Sequence, residues 1–369
     1  MSIYWIIVAV VIGLGMVTPQ EGRYRKFYIM SMAAFHAFVC GFRYMYLTGD
    51  LIKYAGEYRK MVNYGWFSEQ VFHEGRNAGF YWLMKLISTL TKGNFQIFLI
   101  VLAIITQVVL AVCIYRYSPK PWLSYLVYNC MGFYVFGFSA IKQALAMAIV
   151  MWAMMEILEK RPINFLLLMA VAGLMHMPAL CFLPAYFLSR RRVNGRILFG
   201  YCVAAAVVFL LRVQIVDLVA EFYYDESSFQ LVDKTIGGRF LVIVLILITG
   251  LLLREFKEKN YERVFYFIVV AAMLQMFSGF DNVFTRLADY YLQFLVLFIP
   301  MMFYRFARKT EVNTKAAPAV FVFNKKSITI LVLFLVFILI WWYNTTCIGV
   351  RVDYSVDDYT NFRFMWDVD

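Results

Sequence analysis

Charge is what this chain has least of. Asp, Glu, Lys and Arg make up 16% of its 369 residues, against about 25% in an ordinary soluble domain, which excludes a water-surrounded globular domain of any size. Histidine is scarcer still, at three residues, His36, His73 and His176; no HExxH occurs, so that metalloprotease arrangement is excluded. The cysteines, Cys40, Cys113, Cys130, Cys181, Cys202 and Cys347, are scattered without a CxxC, and indicate neither a disulfide framework nor a zinc site. The chain also lacks a Gly-rich phosphate loop, a dinucleotide fingerprint and a GxSxG. Its net charge of +12 sits in short clusters between apolar runs, with no basic domain to hold a polyanion, so nucleic acid is not an expected partner.

What it has is apolar length, with 63% hydrophobic and 19% aromatic residues. A helix crossing the ~30 Å hydrocarbon core needs about 20 apolar residues, and such runs recur along the sequence. The expected fold is all-α: a single integral membrane domain over 1–369 with about twelve spans, near 3–19, 27–46, 95–115, 122–139, 141–158, 163–176, 178–189, 197–216, 240–253, 264–280, 287–304 and 327–346. The first run lacks a positive leader and is followed by Arg23, Arg25 and Lys26, so it reads as a retained span with its N-terminus outside. Around Met177 and Pro178 the chain reads either as a hairpin of two short spans or as one long tilted helix; the basic flanks at Lys160, Arg161 and Arg190 to Arg192 favour the hairpin. External segments are expected at 50–93, an interfacial amphipathic stretch mixing charges with Tyr, Trp and Phe, at 217–238, and in the 347–369 tail.

Ionisable groups inside a membrane cost about 2.5 to 3.5 kcal/mol on insertion scales and so face a cavity, a partner or an interface. On this topology they gather at external helix ends: Arg43 and Asp50, Lys142 and Gln143, His176, and Asp281, Arg286 and Asp289. Each has a plain structural alternative. An arginine near a helix end snorkels to headgroups, Asp281 or Asp289 neutralises Arg286, and a turn histidine is satisfied by a backbone carbonyl. His36 reads as packing within the second span and His73 as part of the interfacial stretch. Asn344 opens a sequon, and Asp353, Asp357 and Asp358 form a solvated acidic tail.

Five stretches, FRYMYLTGDLIKYAGEY (42–58), GFYWLMKLISTLTKGNFQIFLIVLAIITQ (79–107), FYVFGFSAIKQALAMAIVMWAM (133–154), NFLLLMAVAGLMHMPALCFLPAYFL (164–188) and TRLADYYLQFLVLFIP (285–300), occur in the order and spacing of one family. Together the chain resembles the EpsG family of bacterial exopolysaccharide and capsule polymerases, similar in character to O-antigen polymerases. The polar landmarks are Arg43, Gly49, Asp50 and Tyr54; Lys142, Gln143 and Ala144; His176; and Arg286. Two positions depart from the family pattern. Lys142 stands where an arginine is usual, keeping charge but losing bidentate phosphate recognition, and Arg76, Asn77, Ala78, Gly79 replaces an acidic lead-in to GFYWL.

The resemblance implies a multi-pass protein of the bacterial cytoplasmic membrane that joins repeat units carried on undecaprenyl diphosphate. The growing glycan would pass to a sugar hydroxyl at the external face, without cofactor or metal. It implies Arg43, Lys142 and Arg286 on the diphosphate, His176 as base or acceptor-positioning group, Asp50 as a second catalytic residue orienting Arg43 or binding sugar, and Gln143 and Tyr54 on the glycan. Membrane lipid is an implied partner, and a chain-length regulator is a further candidate one. A lipid-linked oligosaccharide flippase, a glycan ligase and a membrane acyltransferase are the alternatives.

Overall fold

The computed structural model describes residues 2–72, 77–189, 195–215, 238–252, 259–280, 282–312, 334, 338–339 and 362–367. Among these the chain is helical and forms no strand, only one isolated bridge. It divides into two units, residues 1–180 with 295–369, and residues 181–294.

In the first unit the helices are α1 (Ser2–Val17), α2 (Gly22–Gly41), α3 (Gly49–Met61), α4 (Glu69–Phe72), α5 (Ala78–Leu90), α6 (Phe95–Tyr117), α7 (Pro121–Cys130), α8 (Phe133–Phe136), α9 (Ile141–Leu158) and α10 (Pro162–Met175). Helices α2 and α6 run antiparallel. Arg25, at the start of α2, donates to the carbonyls of Tyr115 and Ser118 at the end of α6, both at 2.8 Å. At the opposite ends, Gln96 donates to Gly41 O at 2.6 Å. Each pairing satisfies carbonyls that a helix end leaves without intrahelical partners. Helices α9 and α10 form a second antiparallel pair across a turn at residues 159–161, where Lys160 takes a positive φ of 61° and Arg161 pairs with Glu159 at 2.9 Å. Along α10, Ile163, Leu166, Leu167 and Leu174 are all more than half exposed, an apolar stripe that suits hydrocarbon rather than water.

Helices α3 to α5 occupy the stretch expected at the interface. Leu51, Ala55 and Tyr58 of α3 and Phe80 and Met84 of α5 are completely buried in one core with Phe98 of α6. Helix α3 starts at Thr48, whose hydroxyl caps Leu51 N at 3.3 Å, and ends where Lys85 donates to Met61 O at 2.8 Å. His36 is fully buried; its ring contacts Met32 O at 2.8 Å and the Asn129 amide, among Tyr125 and Tyr134. That is the packing role expected of it.

The last described segment, residues 362–367, returns to the end of α2. Tyr44 N donates to Arg363 O at 2.8 Å and Met365 N to Phe42 O at 2.9 Å, around the Arg43–Phe364 bridge. Phe364 stacks on Trp366 with centroids 4.7 Å apart, and Phe362 packs on Phe138.

The second unit holds the end of a 3-10 turn (Met177–Phe182), α11 (Ala185–Leu188), α12 (Gly195–Leu210), α13 (Gly238–Leu252), α14 (Lys259–Gln275) and α15 (Asn282–Leu292). Phe182, Phe267, Tyr291 and Phe294 form its aromatic centre, and Tyr291 donates to Cys181 O at 2.7 Å. The chain then continues into α16 (Leu295–Val312) of the first unit.

The described residues do not confirm the twelve-span expectation, and several of the expected spans are broken or shorter than drawn. Among the described residues two helices, α6 and α9, are long and apolar enough to cross a membrane, and a third crossing is counted if Asn282–Leu292 and Leu295–Phe303 form one broken span. The expected span at 178–189 is a 3-10 turn followed by a four-residue helix, because Pro178 and Pro184 remove amide donors and crowd the preceding turn. The span at 122–139 breaks at Gly132, whose φ of +83° ends α7. The span at 287–304 breaks at Gln293 and Phe294. Pro300 lies inside α16, and the carbonyl it deprives of a helical partner, Val296 O, accepts from Ser124 at 2.6 Å. The expected 327–346 span lies outside the described residues apart from 334, 338 and 339, as do 217–237, His73, Asp281, Asn344, Asp353, Asp357 and Asp358.

Candidate functional site

Four elements of the first unit meet where α9 begins. Lys142 stands one residue inside α9, half-buried, and its ammonium lies 5.5 Å from the ring centre of Tyr54 on α3, 5.4 Å from Tyr81 and 6.0 Å from Phe80 on α5. Three ring faces turned toward one cation attract it electrostatically. The next residue, Gln143, is 2% exposed.

Helix α10 brings His176 to the same corner. In an antiparallel pair closed at residues 159–161, the C-terminal end of α10 lies beside the N-terminal half of α9, and Met175 packs into the core that holds Phe80 and Tyr81. His176 is the extended residue that ends α10, its amide donating to Ala172 O at 2.8 Å and its carbonyl accepting from Ala179 N at 2.9 Å. Asn77 fastens this turn to α5: it adopts a left-handed φ of 55°, and its side-chain oxygen accepts from Met177 N at 3.1 Å. Gly79 allows the approach, since a Cβ there would stand 2.9 Å from Leu174 Cβ.

Arg43 sits differently from a cation open to an external vestibule. It is 1% exposed and stands over the Phe138 ring. Its Nε donates to Phe138 O at 3.2 Å, and its Nη1 donates to Cys40 O and contacts Cys40 Sγ at 3.3 Å. Phe138 lies four residues before Lys142, so Arg43 braces the loop that presents the lysine. Asp50 lies in the first turn of α3, where a carboxylate complements the helix dipole, and it forms no ion pair with Arg43.

Arg286 belongs to the second unit, on the exposed side of α15. Asp289, three residues on, is 5% exposed and pairs with Arg239 of α13 at 2.5 Å. The sequence reading offered Arg286 as its partner and overlooked Arg239, fifty residues away. Two further residues take places that the sequence did not assign them. Asn77 had a legible signal, an asparagine at a helix start where a left-handed backbone is tolerated. Glu57 had none, being one of several charges on α3. One of its carboxylate oxygens is buried without a hydrogen-bond partner. Burial first, and then the Glu57 charge, push the Tyr81 phenol up to about 12.

The apolar helices and this corner of cation, aromatics and histidine define a class: a helical membrane protein with a polar site at helix ends. The chain belongs to the EpsG family, whose model matches residues 26–355. That membership makes it a polysaccharide polymerase-like membrane protein. No curated protein and no solved structure matches it.

Proposed function

We propose that this protein polymerises lipid-linked oligosaccharide repeat units in exopolysaccharide or capsule synthesis. The growing glycan leaves undecaprenyl diphosphate and is transferred to a sugar hydroxyl of the next lipid-linked unit, at the external face of the bacterial cytoplasmic membrane. Family membership supports the reaction class. The observation that carries the site is the Lys142 ammonium held over Tyr54, Phe80 and Tyr81 beside the turn of His176.

In this reading Lys142 faces the diphosphate as a point charge, stabilising negative charge as the glycosidic bond breaks. Arg286, in the second unit, is a separate candidate for binding diphosphate. His176 takes the acceptor's proton or positions its hydroxyl. Tyr54 and Gln143 contact the glycan, and Asp50 borders the site from the first turn of α3. Arg43 acts through Phe138 to place Lys142, a positioning role that follows from its burial.

The test uses purified protein in nanodiscs with an undecaprenyl diphosphate-linked repeat unit isolated from a strain lacking this protein, without nucleotide or added metal. A ladder of polymer on a gel is expected, with Lys142→Ala cutting the elongation rate about a hundredfold or more. Intact substrate with wild-type protein would shift the assignment to a flippase, whose loss leaves repeat units on the inner leaflet rather than the outer.

A further inference from the structure

The turn that presents Lys142 has little of its own to hold it. Residues 137–140 link α8 to α9, and Ala140 stands at the N-cap, where alanine has no side-chain oxygen to accept from the first amides of the helix. Backbone bonds within the turn, from Phe138 N to Val135 O at 2.9 Å and from Ile141 N to Ser139 O at 2.8 Å, couple any shift of Phe138 to the first turn of α9. Phe138 itself is completely buried. Its ring centre lies 4.9 Å from Tyr134, 6.5 Å from Tyr4 and 5.7 Å from Phe362, with the Arg43 guanidinium 5.6 Å away.

Phe362 is the outlier among these neighbours, because it comes from the last described segment of the chain. That segment reaches Phe138 by pairing with the residues just beyond α2, through Tyr44 N to Arg363 O at 2.8 Å and Met365 N to Phe42 O at 2.9 Å. Side chains alternate along extended backbone, so Phe362 and Phe364 share a face, and their rings meet edge-on at 5.1 Å. A turn closes the segment: Asp367 N donates to Phe364 O at 3.1 Å, and Phe364 N donates to Asp367 Oδ2 at 2.8 Å. The segment therefore bears on Arg43 through its backbone and on Phe138 through Phe362, the two residues that brace the Lys142 turn. Arg363, Met365 and Trp366 are exposed, so it covers the helices rather than filling the space between them.

We infer that Phe362, carried by the 362–367 segment, is a positioning residue of the site: by packing on Phe138 it fixes the turn that sets the Lys142 ammonium over Tyr54, Phe80 and Tyr81. This rests on the polymerase reading. Phe362 touches no substrate; its effect reaches the reaction through Lys142.

The experiment measures elongation of the isolated lipid-linked repeat unit in the nanodisc assay for wild type, Phe362→Ala and Phe362→Tyr, and for Phe362→Ala in a Lys142→Ala background. Hydrogen exchange of the backbone amides at 138–144 is followed by mass spectrometry on the same proteins. Phe362→Ala is expected to slow elongation about tenfold or more, and Phe362→Tyr, which keeps the ring, to recover most of that rate. Amides 138–144 should exchange faster in Phe362→Ala while those of α6 stay protected. In the Lys142→Ala background Phe362→Ala should add no further loss, because two substitutions acting through one side chain are not additive. Wild-type elongation in Phe362→Ala, or an equal loss in both backgrounds, would overturn the inference. A wild type that makes no ladder refutes the polymerase reading instead. Faster exchange at 138–144 in Phe362→Ala would then still uphold the hold of Phe362 on the turn, and unchanged exchange would overturn it.

Discussion

Arg43 and Lys142 carry the same charge, and the structure gives them different surroundings. Arg43 has its guanidinium committed to carbonyls of Phe138 and Cys40, whereas Lys142 has three ring faces turned toward it. Arg43→Ala leaves buried carbonyls without donors and should lower stability by about 1–3 kcal/mol, read as an earlier unfolding transition in detergent. Arg43→Lys should recover part of that loss; an unchanged transition in Arg43→Ala would mean that the burial is not energetically important. Sequence could single out both cations because charge is rare here. It could not tell which was committed to backbone, since that depends on a loop 95 residues downstream. The same distance problem hid Arg239 behind the more obvious Arg286 as the partner of Asp289.

At the scale of elements, the apolar runs were legible as helices and their interruptions were not. Hydropathy averages over Gly132, Pro178 and Pro300, each of which changes the backbone at one residue. The α5–α10 contact was equally invisible, because it depends on a missing side chain rather than a present one. Gly79→Ala would place a methyl 2.9 Å from Leu174 Cβ and 3.0 Å from Met175 Cε. Helix α5 must then move away from the His176 turn, at a cost of about 1–3 kcal/mol. The expected readout is a lowered unfolding temperature together with slower elongation, since α5 also supplies Phe80 and Tyr81 to Lys142. Wild-type values of both would show that the two helices have slack between them.

For the whole molecule, the small backbone pairing between residues 42–44 and 363–365 acts as a topological parity check. Two segments hydrogen-bonded to one another occupy the same side of a bilayer, so the chain between Tyr44 and Arg363 must cross it an even number of times, whichever broken helices count as crossings. Cysteines introduced singly at Phe67 and Trp366, both exposed, in a cysteine-free background should react with an impermeant maleimide from one and the same face of intact cells. Labelling from opposite faces would break the pairing and with it the constraint. The number of crossings between Tyr44 and Arg363 can thus be changed only in twos, a restriction imposed by two backbone hydrogen bonds rather than by any hydrophobic run.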